Sequence, residues 1–117
     1  MKKSRDLRMY LRDILESCDY IIEYIKNKDI KDFRSDTQVQ DAAIRRFQII
    51  GEAVKRVPME FREQHPDVNW SDAAAFRDVL IHDYPEIMID EVYFTAQNQL
   101  PAFRDQIQKV LDELNAD

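Results

Sequence analysis

The densest group of reactive side chains lies at residues 77–84, which read Arg-Asp-Val-Leu-Ile-His-Asp-Tyr. Arg77 carries a permanent positive charge on a planar fork that matches phosphate oxygens. His82 titrates near neutral pH and can move a proton, and Tyr84 adds a phenol. The segment therefore combines groups that can bind a phosphate and transfer protons. The same residues could instead be ordinary boundary residues of a helix, because cations are favoured near a helix C-terminus.

The spacing of these residues limits how they can cooperate. Arg77 and His82 are five residues apart in the sequence, which places them about 140° apart around a regular helix. Arg77 and Tyr84 would lie only about 20° apart if the helix continued that far. A site that uses both Arg77 and His82 therefore requires a frayed helix end or residues from a second protomer.

Several classes of chemistry have no support in the sequence. It contains no glycine-rich phosphate loop, no Cys/His cluster with metal-ligand spacing and no Gly-x-Ser-x-Gly motif. These absences argue against P-loop, zinc and α/β-hydrolase chemistry, and we expect neither a metal nor another cofactor. The single cysteine, Cys18, excludes an internal disulfide and fits a reducing compartment.

The charge and hydropathy of the chain restrict its partners and location. The formal net charge is −6 and the isoelectric point is near 4.9, which is the wrong sign for gripping nucleic acid by bulk electrostatics. Any contact with a polynucleotide must therefore be local. No apolar run has the length of a signal-peptide core or of a membrane-spanning helix. We expect a cytoplasmic protein that does not associate with membranes.

One stretch of the chain is locally basic. Arg45, Arg46, Lys55 and Arg56 recur along one predicted helix and could form a local track for RNA phosphates. Such residues can also be an ordinary solvated face. Glu52 lies between them and could orient an arginine, mark a dimer surface or remain a plain surface carboxylate.

The composition predicts an all-α domain. A chain of 117 residues normally closes around one core, so we expect a single domain over residues 1–117. One Gly and four Pro are too few for the many turns of an all-β fold. Apolar residues at steps of three and four predict four principal amphipathic helices joined by short connectors, hence an antiparallel bundle of four to five helices.

The first half of the chain has clear helix boundary signals. The first helix is predicted over residues 4–27 and is followed by a short connector. Ser35 or Asp36 can cap the second helix. Pro58 ends that helix and can open a short one through Phe61.

Two helices are predicted in the second half. The third helix should cover residues 71–83, because Ser71 is a suitable cap and the Tyr84-Pro85 pair interrupts the helix. A new cap at Asp90 starts the last helix, which continues to Leu114. Pro101 lies inside this last helix and should kink it.

The only glycine lies in the middle of the second helix. Gly51 costs about 1 kcal/mol there relative to Ala. Close approach of another helix would compensate for this cost, so we predict a helix contact at Gly51.

Four sequence features occur together in the second and third helices. They are Arg-x4-His-x-Tyr at 77–84, the Trp-Ser cap at 70–71, Asp-Ala-Ala-Ile-Arg at 41–45 and Ile-Ile-Gly-Glu-Ala at 49–53. With the region around Pro101 and the chain length, this set resembles the HepT-like toxins of the HEPN superfamily over nearly the whole chain. The resemblance implies a HEPN-like helical bundle.

The resemblance also implies an activity. It implies a metal-independent endoribonuclease, the toxin of a prokaryotic toxin–antitoxin pair, that acts as a homodimer on tRNA or mRNA. Arg77 and His82 of both protomers would face one cleft. The 2′-hydroxyl of RNA would attack the adjacent phosphodiester and give a cyclic phosphate and a free 5′-hydroxyl, with His82 moving the proton and Arg77 stabilising the extra charge.

Tyr84 matches the tyrosine that is modified in this family. By the resemblance, a cognate MntA-type nucleotidyltransferase antitoxin would adenylylate Tyr84. The added phosphate would repel RNA and occupy the arginine fork, which would silence the toxin. Without the resemblance, Tyr84 would be interpreted as an aromatic anchor before Pro85.

One position departs from the family pattern. Asp78 follows Arg77 where the family often has Asn, and an acidic neighbour can pair with Arg77 and weaken phosphate binding. An alternative function is therefore a non-catalytic helical dimer that serves as binding partner and modification substrate of a nucleotidyltransferase.

Overall fold

The computed structural model describes residues 2–82 and 88–116, with side chains over 6–80 and 88–116. Over these residues the chain forms helices and no strands, which confirms the predicted all-α bundle. The helices are α1 (Lys2–Ile25), α2 (Ile30–Arg34), α3 (Thr37–Arg56), α4 (Met59–Gln64), α5 (Trp70–His82), α6 (Met88–Asn98) and α7 (Leu100–Ala116).

Helix α3 lies at the centre of the packing. It contacts α1 on one side and α5 on the other, and α1 also packs against α7 and α6. The apolar stripe of α1 is fully buried at Leu11, Ile14 and Ile21. Burial of such side chains stabilises the fold by about 1.5–3 kcal/mol each. The bundle therefore holds α3 firmly and places α5 on its outer side.

The start of α3 confirms one of the two caps that the sequence offered. Asp36, rather than Ser35, caps the helix by accepting a hydrogen bond from the Val39 N–H at 3.2 Å. The segment predicted as a plain connector forms the short helix α2, and Ser35 closes its C-terminus. The Ser35 hydroxyl donates to the Asp32 carbonyl at 3.1 Å, so it is already engaged at the end of α2.

The region of the last predicted helix contains two helices. Helix α6 ends at Asn98, Gln99 forms a turn, and α7 begins at Leu100. Pro101 is the second residue of α7, where its missing N–H leaves no helical hydrogen bond unmade. The predicted kink at Pro101 is therefore wrong. The chain does not bend within one helix there but starts a new helix, α7.

Asp90 does not cap a helix, in contrast to the prediction. It lies in the first turn of α6, which starts at Met88. Its carboxylate accepts two hydrogen bonds from the Arg34 guanidinium, Nε to Oδ1 at 2.8 Å and Nη2 to Oδ2 at 2.6 Å. The Asp90 carboxylate is therefore bound to Arg34 of α2, whereas a capping carboxylate would accept from backbone N–H groups.

The boundaries of the middle helices differ by a few residues from the prediction. Helix α4 continues past Phe61 to Gln64, with Pro58 at its N-cap. Helix α5 begins at Trp70, whose indole N–H donates to the His65 carbonyl at 2.9 Å. Its predicted end at Asp83 falls outside the described residues. None of the helices in the described ranges combines the length and apolar character of a membrane span.

Cys18 belongs to the core. Its side chain is fully buried on α1. Burial raises the pKa of the Cys18 thiol to about 12, and the neighbouring Asp19 carboxylate adds to the shift. Because the folded-state pKa is raised, the thiol is protonated throughout the neutral range.

We expect Cys18 to be unreactive in the native protein. A disulfide reagent such as DTNB, at about pH 8 where an ordinary thiol is partly ionised, should label Cys18 only after the chain is unfolded in urea. The thiolate is the reacting species, and the fold suppresses both its formation and its exposure. Rapid labelling without denaturant would contradict this burial.

Candidate functional site

The contact between α3 and α5 sets the position of Arg77. A Cβ atom built on Gly51 would overlap the Cβ of Arg77 and lie 2.6 Å from its Cγ and 3.2 Å from the Ala73 carbonyl oxygen. Only a residue without a side chain fits this contact. The predicted close approach at Gly51 is therefore confirmed, and the approaching helix is the one that carries Arg77.

The guanidinium of Arg77 lies between two carboxylates. Nη1 donates to Oδ1 of Asp78 at 3.0 Å, and Nη2 lies 4.0 Å from Oε1 of Glu52. Nε is buried and has no acceptor among the described residues. A buried donor costs about 1–3 kcal/mol unless an ordered water accepts from it. The side chain is 24% exposed, so it reaches solvent while its stem is held.

Lys55 reaches the same carboxylate from α3. Its Nζ donates to Oδ1 of Asp78 at 2.5 Å. The Asp78 pKa is lowered by this hydrogen bond and, secondarily, by the one from Arg77. Asp78 is therefore ionised at neutral pH and links two cations that belong to different helices. The possibility that Asp78 pairs with Arg77 was raised from the sequence, whereas the contact with Lys55 was not.

The contacts extend to a row of alternating charges. Arg45 Nη1 lies 3.9 Å from Oε1 of Glu52, the same oxygen that faces Arg77. The row thus runs Arg45, Glu52, Arg77, Asp78, Lys55, with three cations and two carboxylates and a net charge of 3 − 2 = +1. The row therefore gathers three cations on a chain whose net charge is −6.

The other two basic residues of α3 lie elsewhere. The Arg46 guanidinium lies 4.2 Å from the centroid of the Tyr20 ring on α1, and Tyr20 is itself stacked near Tyr24. Arg56 is exposed at the end of α3. The structure therefore brings Arg45 and Lys55 to Arg77 and directs Arg46 towards α1.

The remaining predicted site residues are at the end of α5. His82 is the last residue of α5, and its side chain is outside the described part of the chain. The continuous helix keeps the Cα positions of Arg77 and His82 about 140° apart around the axis. Tyr84 and Asp83 also lie outside the described residues.

A groove beside α5 that combines apolar and polar side chains, Asp72 and Glu91 among them, was not anticipated from the sequence. It has a volume of about 610 Å³ and includes Phe47, Phe76, Val79 and Phe103 in its lining. Val79, which belongs to this lining, is 40% exposed. An outward-facing Val79 was the available signal, but a sequence does not show which helix faces stay uncovered. Within the described residues, no group of three His, Cys, Asp or Glu side chains could hold a metal ion.

Comparison with known proteins identifies the family. The family described as Ribonuclease HepT-like matches residues 14–110, and the chain belongs to this family. A protein of Caldanaerobacter subterraneus subsp. tengcongensis, named provisionally as an RNase, is 38% identical over 91% of this chain and 95% of its own length. A protein of Thermococcus cleftensis named "Probable ribonuclease HepT" is 34% identical over 94% of this chain and 98% of its own length.

Another relative is a longer protein. It comes from Methanocaldococcus jannaschii, and its name combines gamma-glutamylcyclotransferase with a provisional RNase. It is 40% identical over 95% of this chain, and the chain spans about half of its length, 50%. No solved structure matched the chain significantly.

We expect Gly51→Ala to destabilise the protein. The added methyl would meet the stem of Arg77, and overpacking of this kind costs about 1–3 kcal/mol. Helix propensity alone would give the opposite sign, a gain of about 1 kcal/mol. Urea unfolding followed by circular dichroism measures the change in free energy of unfolding.

Ala42→Gly on the same helix is the matched control. It reverses the exchange at a half-buried position and gives the propensity difference in this protein. A Gly51→Ala variant more stable than the parent would show that α3 and α5 do not need this close approach.

Proposed function

We propose that the protein is an endoribonuclease toxin of a prokaryotic toxin–antitoxin pair and that Arg77 and His82 carry its activity without a metal. The observation that carries this proposal is the fixed position of Arg77. Gly51 holds its stem, while its guanidinium reaches solvent beside further cations. Membership of the HepT-like family and the ribonuclease names of its relatives support the same activity.

In the proposed reaction the nucleophile is a 2′-hydroxyl of the RNA itself. His82 removes the proton of the 2′-hydroxyl, whose oxygen attacks the adjacent phosphorus. The bond from phosphorus to the 5′-oxygen breaks, and the partner's His82 protonates that oxygen. The products are a 2′,3′-cyclic phosphate and a free 5′-hydroxyl. Each proton transfer contributes about 10²- to 10⁴-fold, and Arg77 stabilises the phosphorane by about 3 kcal/mol.

The proposed active form is a homodimer. Arg77 and His82 occupy different sides of α5, about 140° apart, so one protomer does not readily direct both at one phosphate. A second protomer can supply the missing group across a shared cleft. The groove beside α5, whose lining includes the exposed Val79 and the carboxylates of Asp72 and Glu91, is the surface proposed for that second copy.

Regulation is proposed to act through Tyr84. A cognate MntA-type nucleotidyltransferase antitoxin would transfer AMP to its phenol, two residues beyond the end of α5. The added phosphate carries negative charge to the mouth of the cleft. It would compete with RNA for the arginine fork.

One observation favours the alternative function. The hydrogen bond from Arg77 to Asp78 occupies Nη1, one of the guanidinium nitrogens that RNA would need. In the alternative, the chain is a non-catalytic dimer that binds a nucleotidyltransferase and is modified by it. Incubation of the unmodified protein with RNA separates the two functions, because only the first predicts cleavage.

Replacement of either proposed catalytic residue should abolish cleavage. We expect Arg77→Ala to lower the rate about 10²- to 10³-fold and His82→Ala about 10²- to 10⁴-fold, measured on a defined tRNA or mRNA. Lys109→Ala on α7, an exposed cation distant in sequence from the site, is the control and should cleave normally. Size-exclusion chromatography checks that each variant keeps its assembly. Cleavage unchanged in both site variants would refute the assignment.

Modification should be specific to Tyr84. After incubation with the cognate nucleotidyltransferase and ATP, mass spectrometry of the peptides should show an adenylyl adduct on Tyr84 and loss of ribonuclease activity. Tyr84→Phe should remain active and unmodified, because it lacks the accepting hydroxyl. Tyr20→Phe, which removes the hydroxyl of another exposed tyrosine, should be modified normally. An adduct on Tyr20 instead would contradict the proposed regulation.

A further inference from the structure

Two cations from different helices converge on one oxygen atom. Oδ1 of Asp78 accepts from Arg77 Nη1 at 3.0 Å and from Lys55 Nζ at 2.5 Å. Arg77 comes from α5 and Lys55 from α3. Their donors therefore define a single point in space at which an anionic oxygen is favourable.

The carboxylate at this point can be exchanged. The side chains of Lys55 and Asp78 are 42% and 46% exposed, and ion pairs in water are worth only about 0.2–1 kcal/mol. The stem of Arg77 is held against Gly51. The site therefore keeps one fixed cation when Asp78 turns outward, and the vacated point is open to solvent.

We infer that Lys55 is a second phosphate-binding residue and that the Asp78 carboxylate stands, in the free protein, where an oxygen of an RNA phosphate binds. This inference rests on the proposed ribonuclease function for the identity of the anion. A phosphodiester oxygen and a carboxylate oxygen accept the same charge-assisted hydrogen bonds. Asp78 is thus an internal competitor of the substrate.

The charges around the site favour a phosphodiester. With Asp78 turned away, four members of the row remain. They are one carboxylate, Glu52, and three cations, Arg45, Lys55 and Arg77. The net charge of these four groups is 3 − 1 = +2, and one phosphodiester restores the value of the free protein. Lys55 acts as a mobile point charge, whereas Arg77 is the fixed fork.

The test measures binding without cleavage. The ligand is a short single-stranded RNA whose 2′-hydroxyls are methylated, so that the attacking group is blocked, and fluorescence anisotropy gives Kd over a range of salt concentrations. Asp78→Asn should tighten binding about two- to fivefold, because it removes the competing charge. Lys55→Ala should weaken binding by a similar factor and reduce the salt slope by about 0.7.

Matched controls separate the site from net charge. The controls Glu113→Gln and Lys109→Ala make the same charge changes at exposed positions of α7. Both should leave Kd within twofold of the parent value, which corresponds to a binding free energy within about 0.4 kcal/mol at 25 °C. Inorganic phosphate should compete with the RNA, and less effectively in Lys55→Ala. Equal effects from the site variants and their controls would overturn the inference, as would an unchanged Kd in Asp78→Asn or Lys55→Ala.

The result can be told apart from a failure of the proposed function. If unmethylated RNA is never cleaved but the site variants shift Kd as stated, the phosphate site stands and the ribonuclease assignment fails. If cleavage depends on Arg77 and His82 while Lys55→Ala changes neither Kd nor the salt slope, the ribonuclease stands and the role of Lys55 is refuted. Binding of the RNA that inorganic phosphate does not displace would also refute it.

Discussion

The contact of Gly51 with the stem of Arg77 is the constraint on which the site depends. A side chain at position 51 would separate α3 from α5, and the two helices share every charged group of the row from Arg45 to Lys55. At the separation that glycine allows, Glu52 and Lys55 of α3 reach Arg77 and Asp78 of α5. The loss of about 1 kcal/mol of helix propensity at Gly51 is thus offset by close packing and by these contacts.

The same close approach explains how an acidic protein can hold an anion. The protein has a net charge of −6. Phosphate binding would therefore depend on a local electrostatic field, since charges beyond about 8–10 Å are screened at physiological salt. Arg45, Arg77 and Lys55 supply that field only because two helices place them together. Glu52 and Asp78 offset part of it, so a phosphate at the proposed site would have to displace a carboxylate.

The sequence predicted the helices better than it predicted their ends. The apolar stripe of α1 and the helix contact at Gly51 follow from periodicity and from the cost of glycine, both of which are local. Of the two caps offered for α3, Ser35 or Asp36, the structure uses Asp36. The predicted cap at Asp90 is wrong, because its side chain is used by another element. Asp90 binds Arg34, which is 56 residues away in the chain. Local rules cannot include a partner that only the folded chain brings close.

In the candidate site too, the contact between sequence neighbours was predicted and the contact between distant residues was not. Arg77 with Asp78 was visible because the two are adjacent, while Lys55, 23 residues before Asp78, entered only as part of a general basic stretch. The four basic residues of α3 look alike in sequence, yet the structure sends Arg46 to Tyr20 and Lys55 to Asp78. Which cation serves the site is decided by the side of α3 on which it lies relative to α1 and α5.

The angle between Arg77 and His82 around α5 is the reason that the proposed enzyme is a homodimer. Arg77 is directed towards α3 by the packing at Gly51, so a residue about 140° further around the helix starts from a different side. Bringing both residues to one phosphate therefore requires a frayed end of α5 or a second protomer. In the proposed homodimer the contact at Gly51 would stay intact, and each protomer would contribute a group that the other does not direct at the same phosphate. The spacing of the two residues on α5, together with the packing that fixes the guanidinium, is therefore the reason that a second protomer is proposed to complete the site.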